Sequence, residues 1–60
     1  MKMLHITGCT DTHRWYATMV GKLVPYLGTM HNPSEYRSRE PDGYINFVQI
    51  EDAQIVDVEE

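Results

Sequence analysis

Residues 41–58 read Pro-Asp-Gly-Tyr-Ile-Asn-Phe-Val-Gln-Ile-Glu-Asp-Ala-Gln-Ile-Val-Asp-Val. This stretch decides the fold class. It opens on a turn, because proline presets its own φ and Gly43 accepts a positive one. Residues 44–48 then alternate as a strand does, with Ile45 and Phe47 on one face and Phe47 expected in the core. Residues 49–53 suit one turn of 3₁₀ helix, in which Asp52 would accept backbone N–H groups. A last strand follows at 54–58.

Working outward, the same grammar repeats. Residues 2–7 form a first strand with Leu4 and Ile6 on its apolar face. Residues 8–14 are small and polar and read as a loop. Residues 22–28 form a second strand, at an edge or bulged at Pro25, which has no N–H to give to a ladder. His31-Asn32-Pro33-Ser34 marks a turn within 30–34, and 35–39 form a third strand. Val, Ile, Thr, Tyr, Phe and Trp supply 20 of the 60 residues and Ala and Leu only five, a balance that favours strands over helices. Residues 14–24 stay ambiguous. Trp15, Tyr16, Met19, Val20, Leu23 and Val24 recur at helical spacing, with Asp11 or Thr12 as a cap and Pro25 as a stop. Gly21 and the nearby β-branched residues oppose a full helix. The reading adopted is a short helical turn near 14–18 followed by strand from about 21.

The order of features resembles the small SH3-like and KOW-like β-barrels. The features are Trp15-Tyr16, Gly21 before Leu23-Val24, a hairpin, Gly43-Tyr44-Ile45-Asn46-Phe47-Val48, Glu51-Asp52-Ala53 and Ile55-Val56. Within that group the chain resembles short phage and prophage members. The resemblance spans residues 2–58 and implies a five-stranded barrel with a binding role. It implies no catalytic residues. The chain departs from RNA-binding KOW modules in lacking basic loops, and from peptide-binding SH3 domains in lacking their groove motif in its usual order.

Length and charge narrow the function. Sixty residues allow one domain with a thin core, with the acidic end 57–60 expected to fray. One cysteine forms no internal disulfide, so a reducing cytosol is expected, that of a host if the gene is a phage's. No apolar run reaches the ~20 residues of a membrane span, and the first residues do not read as a signal peptide. The net charge is −4, yet Glu51, Asp52, Asp57, Glu59 and Glu60 crowd the last ten residues and the first fifty carry a net +1.

Catalysis is not expected. Cys9 and His13 lack the frame of a nucleophilic dyad, Gly21-Lys22 lacks the rest of a phosphate loop, and Glu51 and Asp52 diverge on regular structure. No cofactor is expected. His5, Cys9, His13 and His31 are metal-ligand types, and zinc staples some small domains, but no paired Cys-x-x-Cys spacing supports a site. The aromatics carry more. Trp15 reads as a lid over the core, and Tyr36, Arg37 and Arg39 with Tyr44 across a hairpin would join aromatic and guanidinium groups on one face. Trp15, Tyr16, Tyr36, Arg37, Arg39 and Tyr44 are therefore the candidate binding residues. The expectation is a non-catalytic module that binds a protein or a second copy of itself. The alternative is a nucleic-acid-binding barrel using those groups with Lys22, against which the net charge weighs. A zinc-stapled mini-domain is the remaining alternative.

Overall fold

The structure, a computed structural model, describes residues 1–59. The described residues form β1 (Lys2–Ile6), β2 (Leu23–Pro25), β3 (Gly28–His31), β4 (Ser34–Arg39), β5 (Ile45–Gln49) and β6 (Ala53–Asp57). Single 3₁₀ turns lie at Ala17–Met19 and Ile50–Asp52. The chain is all-β. Its strands make two antiparallel three-stranded sheets, ordered β2-β1-β6 and β3-β4-β5.

The strands number six where the sequence predicts five, and the difference lies at 22–28. Pro25 ends the pairing with β1, opposite Met3. Two residues later the Leu27 N–H donates to the Arg37 carbonyl at 2.8 Å, in the other sheet. Gly28 adopts φ 142°, a backbone shape that glycine takes at least cost, and β3 begins there. One expected strand is thus bent into two. The expected turn at 30–34 tightens to Asn32-Pro33, because His31 and Ser34 are already paired. The turn after β4 is as read: Gly43 N–H donates to the Glu40 carbonyl at 2.9 Å, and Glu40 N–H to the Tyr44 carbonyl at 2.8 Å. The first 3₁₀ turn lies at 17–19, at the end of the expected 14–18.

Leu4, Ile6, Tyr16, Val24, Val48 and Ala53 make the core. Leu4 and Ile6 share the buried face of β1, as alternation requires. On β5 the expected faces are exchanged: Val48 is fully buried, Ile45 is exposed and Phe47 is only half-buried. Alternation along a strand fixes which residues go together, not which set faces inward. Here Tyr16 reaches into the centre from the loop before the first 3₁₀ turn and occupies the core, leaving the smaller Val48 as the inward residue of β5.

The C-terminal end, where fraying is expected over 57–60, lies against the start of the chain as far as Val58. Asp57 pairs with Lys2 at the end of β6, and Val58 N–H donates to the Met1 carbonyl at 2.8 Å. The Met1 amine returns bonds to Asp57 Oδ1 at 3.3 Å and to the Val58 carbonyl at 3.2 Å. Glu60 lies outside the described residues.

Candidate functional site

The six candidate binding residues do not form one surface. Tyr16 is fully buried. Its hydroxyl donates to Asp52 Oδ2 at 2.6 Å and accepts the Gln49 N–H at 3.3 Å. Trp15 is half-buried against the core, and its indole N–H donates to the Phe47 carbonyl at 2.9 Å. The two rings meet edge to face, 5.5 Å between centroids. Among the described residues β5 pairs only with β4, so these side chains serve backbone groups on its other edge. An open strand edge invites pairing with another chain, and Trp15 and Tyr16 close part of this one.

Tyr36 and Arg37 are neighbours on β4 and point to opposite faces, so they cannot share a patch. Tyr36 turns inward. It packs against the core and sets its ring edge to face with Tyr26, 5.9 Å between centroids. Parity along 35–39 contains this separation, and the expectation of a joint Tyr36–Arg37 face overlooks it.

What remains is the outer face of β3-β4-β5. Arg37 and Arg39 are exposed and lie directly opposite Phe47 and Ile45. Glu35, on the same face, lies opposite Gln49, whose amide donates to Glu35 Oε2 at 3.4 Å. Met30 pairs with Glu35 from the β3 side and is exposed. Tyr44, immediately before β5, is 71% exposed. Among the described residues neither Arg37 nor Arg39 enters an ion pair. Sequence reading missed Ile45, Phe47 and Met30 as surface residues. The signal that finds them is cross-strand register, since residues paired with Arg37 and Arg39 share their face. The face is open, and no pocket forms among the described residues.

The metal-ligand types stay apart. His5 sits on β1, Cys9 and His13 on the following loop, and His31 at the end of β3. Among the described residues no group of three or more His, Cys, Asp or Glu side chains is placed to hold a metal ion. The Cys9 thiol donates to the Asp11 carbonyl at 2.9 Å.

The buried ionisable pair Tyr16–Asp52 is structural. Asp52 does not turn its carboxylate to backbone N–H groups as expected. The carboxylate accepts the Tyr16 hydroxyl, while the Asp52 carbonyl accepts N–H groups of Thr7 at 2.8 Å and Gly8 at 3.3 Å. The residue therefore ties the first loop to the second 3₁₀ turn. Burial pushes the Tyr16 phenol well above its ordinary range, and the bond to Asp52 adds to the shift. Tyr16 in the unfolded chain ionises near the usual phenol value of about 10, while the folded phenol keeps its proton. The folded state then binds more protons, so this contribution to stability is full below about pH 10 and is lost as pH rises above it. We expect the urea midpoint to fall between about pH 9 and pH 11, with a smaller fall in Tyr16→Phe. Equal slopes in the two proteins would assign the alkaline loss to other groups.

No helix among the described residues is long and apolar enough to cross a membrane. Comparison with family models, with curated proteins and with solved structures returns no match.

Proposed function

We infer that the chain is a non-catalytic binding module that engages a protein partner through the outer face of β3-β4-β5. The observation that carries this is the pairing of exposed Arg37 and Arg39 with Phe47 and Ile45 across two strands. Guanidinium groups without an ion pair among the described residues, beside apolar side chains, are the composition of an interface anchor, where arginine and aromatic residues supply most of the binding energy.

An SH3-like arrangement is part of the same reading. Its support is the strand order, the two-residue separation of β2 from β3, and the second 3₁₀ turn before β6. Ser38 Oγ also donates to the Pro25 carbonyl at 2.7 Å, which links the two sheets at the bend. The role fits an accessory or host-interaction protein of the phage type, acting in the cytoplasm.

Affinity capture from a bacterial lysate tests the reading, with wild type, Arg37→Ala/Arg39→Ala and the exposed control Lys22→Ala. A partner held by the wild type and the control but lost by the double variant is expected. Equal capture by all three removes the outer face from consideration.

Binding of single-stranded nucleic acid is the second reading. It is favoured by the crowding of five of the nine acids into residues 51–60, which leaves Arg37 and Arg39, with Phe47 opposite Arg37, for phosphate contact and base stacking. Gel shifts at about 50 and about 200 mM salt separate the two. Tight binding at the lower salt that disappears at the higher one would establish nucleic acid as the ligand and sink the protein-partner reading.

A further inference from the structure

Resting on that reading of the outer sheet face, we propose that its occupant is an extended peptide segment of another protein carrying glutamates two residues apart. Arg37 and Arg39 are two apart on β4 and share a face, so their Cα atoms lie about 6.6–6.8 Å apart, twice the rise of a strand. Side chains two apart on an extended peptide have the same repeat. A peptide running along β4 therefore brings one carboxylate to each guanidinium without distorting either chain. Each guanidinium offers a planar donor fork matched to a carboxylate, and neither is engaged by an internal ion pair among the described residues.

The neighbours refine the ligand. Ile45 and Phe47 stand across from the two arginines and give an apolar floor beside each contact. Glutamate, with one more methylene than aspartate, covers more of that floor. Glu35 lies on the same face two residues before Arg37, so a third carboxylate in register meets a like charge. The face thus takes two acids in alternation and favours a neutral or basic residue at the third place. Glu35 and the chain's net charge of −4 also disfavour a continuous polyanion, and for this reason a peptide is the argued occupant rather than a nucleic acid.

The test is fluorescence anisotropy at low salt with three labelled probes. One is the peptide Thr-Glu-Thr-Glu-Thr-Lys. The second has the same composition with its glutamates adjacent, and the third is an oligodeoxythymidylate. The alternating peptide should bind tightest, and Arg37→Ala/Arg39→Ala should weaken it about tenfold, as two exposed charge pairs allow. Both arginines are exposed, so the variant's thermal midpoint should stay near the wild-type value. Equal affinity for the two peptides overturns the spacing argument and leaves the face a binding surface. Preference for the oligonucleotide, lost in the same variant, overturns the peptide class. If no probe binds while lysate capture still depends on the two arginines, the acidic occupant is wrong and the module reading survives. If lysate capture also ignores them, both fail.

Discussion

Tyr16→Phe is expected to lower the free energy of unfolding by about 2–3 kcal/mol, although it deletes one oxygen atom. The hydroxyl lies in a fully buried position and holds two groups at once, Asp52 Oδ2 at 2.6 Å and the Gln49 N–H at 3.3 Å. Removing it leaves the carboxylate of Asp52, a residue only 2% exposed, without its donor. An uncompensated buried charge costs more than a lost neutral hydrogen bond. A single core in a chain this short rarely supplies more than about 3–5 kcal/mol, so most of the stability is at stake. The double variant Tyr16→Phe/Asp52→Ala should lose less than the sum of the two single changes, because it removes both members of the pair. Urea denaturation of the four proteins in the cycle measures the coupling, expected at about 1–2 kcal/mol. Additivity within about 0.5 kcal/mol would show that the pair does not act as a unit.

This pair also marks where sequence reading succeeds and where it stops. Local rules sufficed for β1, β4, β5, β6, the turn at Gly43 and the second 3₁₀ turn, because alternation and turn chemistry act over a few residues. Alternation also placed Leu4 and Ile6 together on the buried side. It was silent about which face of β5 turns inward, since that depends on what fills the centre. The filler is Tyr16, separated by 36 residues from the Asp52 that holds it. No local pattern connects the two. Pro25 signalled a break in pairing, yet the bend into β3 needed the contact from Leu27 to Arg37 in the other sheet. For the candidate site, Arg37 and Arg39 were legible as exposed charges on a polar strand. Their true neighbours are not, because alternation alone assigns Phe47 to the core, and only register identifies it as the partner opposite Arg37.

The exchange of faces on β5 leads to an inverted pair of substitutions. Leu4→Ala is expected to cost about 2–5 kcal/mol and to leave much of the chain unfolded at room temperature. Leu4 is fully buried, in register with Val24 on one side and Ile55 on the other, so its truncation opens a cavity at the middle of the β2-β1-β6 sheet. Phe47→Ala removes a larger but only half-buried side chain and is expected to cost about 1 kcal/mol. Its ring lies on the outer face opposite Arg37, and the Trp15 indole is bound to the Phe47 carbonyl, which the substitution retains. The cost of truncation follows the cavity left behind and not the volume deleted. Far-ultraviolet circular dichroism and urea midpoints on the two variants check the order. A Phe47→Ala loss equal to or greater than that of Leu4→Ala would place the phenyl ring in the core and return Val48 to the surface. Arg37 and Arg39 would then lose the apolar neighbour on which the binding face depends, so the same measurement bears on function before any partner is known.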